Sequence, residues 1–420
     1  MKSFSLSLAV VIALAASWGG AQSASHGALI LTNANVIDGL GSSVLVDATV
    51  VVREGRIEQV TEGWSGASAA GAADAKVIDL KGKYLLPGLI DAHVHLGGIR
   101  NAEKALRSGV TTARSMGGAH FIDVGLRELA REGAIESPEI LAAGYHVGPS
   151  PSSELFIDEP SLADLMPGVR GPAAFRRVTE VNIRHRVDWI KITSTERAGL
   201  PETDPRKQTM SEEEIAAVVD EARRSGIPVA AHAHGDEGAR AAVRAGVRSI
   251  EHGTYLTTAT LELMKEKGTF LVPTVAVVTD LSAPGGDYDD PFLQVRGRHM
   301  LQRLREVVRE AHAMQVPIVA ATDTGFGPEG VLRLQHEVEE LVKCGLSPME
   351  AIRAATAAAA RLLGIDGRTG TIRSGLEADF IAVERNPLED IVALQDVLLV
   401  VHNGEVIVDR TSFALPSSSE

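Results

Sequence analysis

From about residue 86 onward, short apolar runs rich in β-branched residues alternate with longer stretches in which apolar positions recur every three or four residues. That alternation of two periodicities predicts strand–helix units and a parallel sheet. The strand-like runs are LIDAHVHL, VTTARSM, EILAAGYHVG, DWIKITST, PVAAHAHG, SIEHGT, TFLVPTVAV and PIVAATDTG. Between them lie amphipathic segments such as SEEEIAAVVDEARRSG, opened by Ser211 and Glu214 in a capping-box pattern, and MLQRLREVVREAHAM. Eight such units within residues 86–366 predict an α/β chain whose main domain is a (β/α)8 TIM barrel.

Residues 25–85 and 367–412 have a different texture, with Val- and Ile-rich runs separated by glycine turns at REGR and HNGE. Apolar run, polar glycine turn, apolar run predicts hairpins, and the two stretches are expected to meet as one small β-sandwich domain built from both chain ends. SGASAAGAADA reads as a loop, and the tail over 413–420 as a frayed end. Residues 1–24 carry Lys2, an apolar stretch from Leu6 to Ala16 and then small residues, the three parts of a secretory signal peptide. Its apolar core is too short to cross a bilayer, so a protein exported to the periplasm or secreted, with no membrane span, is expected.

At 420 residues with 45% apolar content the chain can bury a large core, and its net charge of −14 argues against a nucleic-acid partner, which needs clustered lysine and arginine. Cys344 is the only cysteine. An internal disulfide and a thiolate-rich metal site are thereby excluded, and the helical setting VEELVKCG suits a buried structural thiol.

Active sites of such barrels sit at the carboxyl ends of the strands. There the chain places His93 and His95 on the first strand, Lys191 on the fourth, His232 and His234 on the fifth, His252 on the sixth and Asp323 on the eighth. Residues two apart in a strand share a face, so each His-x-His pair can converge on one point. Singly, each residue has an ordinary explanation: a capping histidine, a lysine reaching out of the barrel mouth, an aspartate at a turn. Five strands aiming such groups at one mouth favour metal chemistry.

The ordered set DAHVH, WIKI, HAHG, EHG and TDTG, flanked by a split sandwich, resembles the amidohydrolase superfamily of metal-dependent hydrolases. It is most similar to the exported branch of prolidase-like Xaa-Pro dipeptidases, metallo-carboxypeptidases and ochratoxin-degrading amidases, and the resemblance covers nearly the whole mature chain. It implies two divalent metal ions, with zinc expected. One would be bound by His93, His95 and Asp323 and the other by His232 and His252, with Lys191 as N6-carboxylysine bridging both. The superfamily usually places the ligand first in an HA pair, which favours His232 over His234 and leaves His234 either supporting the ligands or facing substrate. The implied mechanism is attack of a metal-bridging hydroxide on an amide carbonyl, with Asp323 carrying a proton to the leaving nitrogen.

The third strand ends GYHVG, which puts His146 near the centre, and the resembled branch often has a histidine here contacting the scissile carbonyl. His146 is therefore a catalytic and substrate-binding candidate even though the sequence departs from the branch's more usual TGGHG. Tyr255 is a candidate to bind a substrate carboxylate. TDLSAPGGDYDDPFLQVRGR is expected to be a lid, with Arg296 or Arg298 pairing a terminal carboxylate or serving as surface charges. The expected activity is hydrolysis of small N-acyl amino acids or dipeptides, in the manner of a carboxypeptidase or dipeptidase and extending to ochratoxin-type amides. Cyclic amide or lactone hydrolysis and ring deamination are the alternatives, and Lys191 speaks against the last. A non-catalytic binding protein would be expected to have lost at least one ligand position, and all are filled. The partner is a small molecule or dipeptide, and a homo-oligomer is expected.

Overall fold

A computed structural model describes residues 28–41, 43–63, 75–286 and 289–413. The leader expected over residues 1–24, nearly all of the SGASAAGAADA loop and all but the first residue of the tail lie outside the described residues.

The barrel is assembled from two parallel sheets and the bridges that join them. Leu89–Val94, Val110–Ser115 and Glu139–Ala142 form one sheet in chain order. Ile190–Thr193, Val229–Ala233, Ser249–His252 and Phe270–Val272 form the other. Every pairing is parallel. Parallel bridges close the circle: Val147 with Ile192, Leu271 with Ile318, and Val94 with Thr324. The eighth position, around residues 318–324, is thus held by single bridges on either side rather than by a full ladder. The outcome is the expected TIM barrel.

Side-chain alternation sets the layers. Trp189, Ala230 and Ser249 precede Lys191, His232 and Glu251 by two positions, so each pair shares a strand face, and all six are buried. The ring of helices follows local signals. Ser211 caps Glu212–Arg224 through the full capping box with Glu214. The long helix Pro291–Ala313 starts nine residues before the stretch singled out in the sequence. Asp290 opens it by accepting from the backbone N–H groups of Phe292 and Leu293 at 2.8 and 3.0 Å, and proline sits at the first turn. The expected lid over 279–298 is therefore helical over most of its described length, ending the helix Val275–Leu281 and opening the next.

In the smaller domain, strands from both chain ends join in one eight-stranded sheet. The seam is antiparallel pairing of Phe380–Val383 with Tyr84–Pro87, directly before the first barrel strand. Both predicted glycine turns are present with left-handed backbone at Glu54–Gly55 and Asn403–Gly404, as tight hairpin turns require. This sheet has its own core, built around Leu31, Val50, Leu85, Phe380 and Leu399. Cys344 is buried, and burial pushes its thiol up to about 12, as suits a structural residue.

Candidate metal centre

The carboxyl ends of the barrel strands enclose a cavity of about 230 Å³ lined by His93, His95, His146, Lys191, His232, His234, His252 and Asp323. All the strand-end residues singled out in the sequence therefore meet in one place. Tyr255 does not: its ring is half-buried, packs against the barrel core and lies 6.0 Å from the His299 ring.

What each ring presents to the cavity follows from what holds its other nitrogen. His93 Nδ1 lies 2.8 Å from Glu251 Oε2, His95 Nδ1 3.1 Å from the Gly117 carbonyl, His234 Nδ1 2.9 Å from Thr254 Oγ1, and His252 Nδ1 2.8 Å from Thr274 Oγ1. These four rings turn Nε2 inward. His232 is reversed, with Nε2 3.3 Å from the Glu196 carbonyl and Nδ1 left unengaged. His232, His234 and His252 bring ligand atoms within 4.8 Å of one another, and so do His93, His252 and Asp323. Both His232 and His234 thus present a nitrogen at the centre.

Asp323 is the carboxylate among the rings. Its Oδ1 stands 3.1 Å from His95 Nε2 and 3.3 Å from His93 Nε2, and its Oδ2 4.0 Å from His252 Nε2. Lys191 Nζ lies 3.3 Å from His93 Nε2. Asp323 and His252 both have left-handed backbone, φ 55° and 72°, a strained geometry for such residues that functional sites commonly hold. For His252 it turns the ring towards His93 and His232 although its neighbour Glu251 also faces inward.

Burial dominates the electrostatics. It drives His93, His232 and His252 well below the ordinary imidazole range and His234 and His146 down to about 3, so these rings are neutral near pH 7. Burial also pulls Lys191 down to about 8 against the charges of Glu251 and Asp323. It raises Asp323, but His93, His95 and Lys191 outweigh it and hold that carboxyl below its usual range.

These residues fit a divalent metal. A neutral His93 that donates a hydrogen bond from Nδ1–H to Glu251 points an Nε2 lone pair at Asp323 Oδ1 across 3.3 Å. Two acceptors facing each other without a proton repel, and a cation between them removes the repulsion. Neutral imidazoles and a carboxylate are the donors such ions take, and the hydrogen-bonded outer nitrogens fix their aim.

His146 lines the same cavity, and its hydrogen bond fixes its tautomer. Its Nε2 is 2.7 Å from the Met116 carbonyl, which can only accept, so the neutral ring keeps its proton on Nε2 and presents an Nδ1 lone pair. In this tautomer the ring faces the cavity as an acceptor and not as a donor.

Several supporting residues were not singled out in the sequence. Glu251, gripped by Arg114 Nη2 at 2.9 and 3.1 Å and by the Ser249 hydroxyl, is the anchor of His93. Arg114 in turn donates to the Ala92 carbonyl at 2.5 Å and lies 4.4 Å above the Trp189 ring. Gly117 is required at φ 113°, since a Cβ there would come within 2.7 Å of both the Gly144 carbonyl and the His146 ring. Asp91, in the DAHVH motif itself, accepts from the backbone of His93 at 3.2 Å and from Thr322 at 3.1 and 2.7 Å, tying the first strand to the eighth.

Known proteins resemble this chain in sequence and fold. The model of the Amidohydrolase family matches residues 84–407. The ochratoxinase of Aspergillus niger is 31% identical over 361 residues, covering 76% of this chain and 74% of its own length. Among solved structures, a Xaa-Pro dipeptidase with methionine bound in its active site superposes with a TM-score of 0.79 at 28% identity, over 90% of this chain and 99% of the other. A putative prolidase from Bifidobacterium longum gives 0.77 at 31%, over 90% and 94%. The chain belongs to the amidohydrolase family, within the part of that superfamily that includes prolidase-like enzymes and ochratoxinase, and is a hydrolase acting on carbon–nitrogen bonds.

Proposed function

We propose that this enzyme hydrolyses the amide or peptide bond of small N-acyl amino acids or dipeptides, using two divalent ions with zinc as the first candidate. The observation that carries the reading is Asp323, a carboxylate set 3.1 to 4.0 Å from three inward-facing histidine nitrogens. His93, His95 and Asp323 would hold one ion and His232 and His252 the other. Ions bound there supply Lewis acidity and lower the pKa of water towards neutrality.

The chain's own residues do the rest. Lys191 is buried, and with its pKa near 8 a usable fraction is the free amine, the form with a lone pair. Adding that neutral amine to carbon dioxide forms an N–C bond and releases one proton, giving an anionic carbamate that would serve as a metal ligand. Asp323, which lines the cavity among the inward-facing rings, would take a proton from the attacking water and pass it to the leaving nitrogen, which departs readily only once protonated. His146 accepts a hydrogen bond from substrate through Nδ1. An ochratoxinase and a Xaa-Pro dipeptidase among the relatives support an amide of this kind over a ring deamination.

The test is release of amine, identified by mass spectrometry, from a panel of dipeptides and N-acyl amino acids incubated with the zinc-loaded protein. Asp323→Asn and Lys191→Ala serve as controls. Release of C-terminal amino acids that is lost in both variants is expected. Metal-loaded enzyme that leaves every linear amide intact would sink the reading and direct attention to cyclic amides and lactones. We also place the enzyme outside the cytoplasm, on the strength of the leader motif in residues 1–24. Recovery of the chain with Met1 intact from the cytoplasmic fraction of its host would refute this.

A further inference from the structure

The reaction cavity opens into a second, wider chamber of about 920 Å³, and the two share His146, Thr193, Arg197 and Leu200 in their walls. A substrate that reaches the histidines with one end therefore leaves its remainder beside these four residues. Of the cations lining the two chambers, Lys191 belongs to the histidine cluster. In the outer chamber, Lys207 is bound to Glu196 at 2.6 Å, and Arg170 donates to the Val169 and Pro149 carbonyls at 3.0 and 3.4 Å. The Arg197 guanidinium makes no hydrogen bond or ion pair with any described residue.

Arg197 is nevertheless held in place through its backbone. Arg296, reaching over from the helix Pro291–Ala313, donates to the carbonyls of Ala198 and Leu200 at 2.7 and 2.6 Å and of Pro201 and Thr203 at 3.0 and 2.6 Å. The Thr203 hydroxyl closes the turn onto the Arg197 carbonyl. One arginine, with both terminal nitrogens engaged, thus fixes the loop that carries another whose five donors meet no described partner. Arg296, a sequence candidate for the substrate carboxylate, has its donors committed to this loop, and Arg298 is exposed and reaches only the Ser282 carbonyl, at 3.4 Å. The positive charge of Arg197 is close enough to the reacting groups to bear on Lys191, His146 and His232.

We propose that Arg197 is the receptor for the free carboxylate of the substrate, with Arg296 as the positioning residue that fixes its loop. A planar guanidinium at the junction of the chambers matches a carboxylate in two parallel hydrogen bonds and discriminates against an ester or primary amide at the same place. The substrate class narrows to amides whose amine half carries a free acid, and this assignment rests on the amidase reading above.

The test compares an N-acyl amino acid with its C-terminal amide on the zinc-loaded wild type, Arg197→Met, Arg197→Lys and Arg296→Met. The wild type should favour the acid by about 10- to 100-fold in kcat/KM, mostly through KM, as the loss of a hydrogen bond to a charged group predicts. Arg197→Met should bring that preference towards one, Arg197→Lys should restore part of it, and Arg296→Met should erode it. Acid preference unchanged in Arg197→Met, or absent from the wild type, would overturn the proposal. Should no linear amide be cleaved, the amidase reading fails separately. Calorimetric binding of benzoate against benzamide then decides on Arg197: tighter benzoate binding abolished in Arg197→Met supports it, and equal binding refutes it.

Discussion

Arg114→Met probes the buried ion pair beneath the histidine cluster, because it removes the charge and the donors while keeping an apolar side chain of similar reach. Arg114 and Glu251 are both fully buried, with the guanidinium 2.9 Å from the carboxylate. Removing one partner of such a pair leaves the other charge uncompensated and costs about 3–5 kcal/mol. The Ala92 carbonyl loses its donor as well, while a methionine sulfur above Trp189 recovers roughly 0.3–1.5 kcal/mol of the lost cation–π contact. The net expectation is about 4 kcal/mol for Arg114→Met. Glu251→Gln should cost a similar amount, since it strands the guanidinium and weakens the anchor of His93. The double variant carries neither charge, so it should be more stable than the sum of the two losses by at least about 2 kcal/mol. Urea unfolding of the wild type and the three variants, all in the presence of chelator so that metal affinity does not enter, gives the cycle. A cost below about 1 kcal/mol for Arg114→Met, or additivity within about 0.5 kcal/mol, would refute the view that this pair holds the site in shape.

Burial lifts Glu337 to about 8 from its ordinary 4.5, so the folded chain keeps a proton that the unfolded chain has lost, and stability should fall by up to about 1.4 kcal/mol per pH unit across that interval. Glu337→Gln should flatten this dependence, and a wild-type-minus-variant difference in unfolding free energy that is the same at pH 5 and pH 8 would contradict the assignment. Gly117→Ala should cost about 1–3 kcal/mol and lower kcat/KM, because the new Cβ falls 2.7 Å from the His146 ring at a φ of 113°. An unchanged unfolding midpoint would show that the neighbours yield freely. Lys191→Ala should remove a carbamate signal seen by carbon-13 NMR of the wild type in labelled bicarbonate, and a signal that persists would place the carbamate elsewhere. Stripping the metal should lower the thermal midpoint, and zinc at a thousand times its Kd should restore about 4 kcal/mol; equal midpoints for the stripped and loaded protein would argue against a metal held by the folded site.

The barrel and its mouth were legible because both depend on short-range regularities: alternation within strands, helical spacing between them, and few residue types able to do the chemistry at strand ends. What lay beyond reading depended on facing. Glu251 and His252 are consecutive, and strict alternation sends them to opposite sides of the sheet. Both nevertheless act at the site, because His252 takes φ 72°, and no spacing rule announces that. Arg114 looked like any polar residue in a β run until its partners Glu251 and Trp189 were in view. The helix carrying Arg296 does have a written signal, Asp290 followed by Pro291, which is an N-cap and first-turn pair inside a stretch whose glycines and aspartates otherwise suggest a lid.

The reaction and the substrate are encoded differently. Metal chemistry needs particular residue types at particular strand ends, and a motif records both. Recognition of a carboxylate needs an arginine whose donors are unspent, and that is a property of everything the guanidinium does or does not touch. Arg170, Arg197 and Arg296 look equivalent in the sequence. In the folded chain Arg170 and Arg296 donate to backbone carbonyls, and Arg197 alone of the three keeps its charge free beside the reacting groups. If substrate choice in this enzyme is set there, changing Arg197 should alter which amides are cleaved while leaving the metal ligands and the fold in place, and the acid-against-amide comparison reads that separation directly.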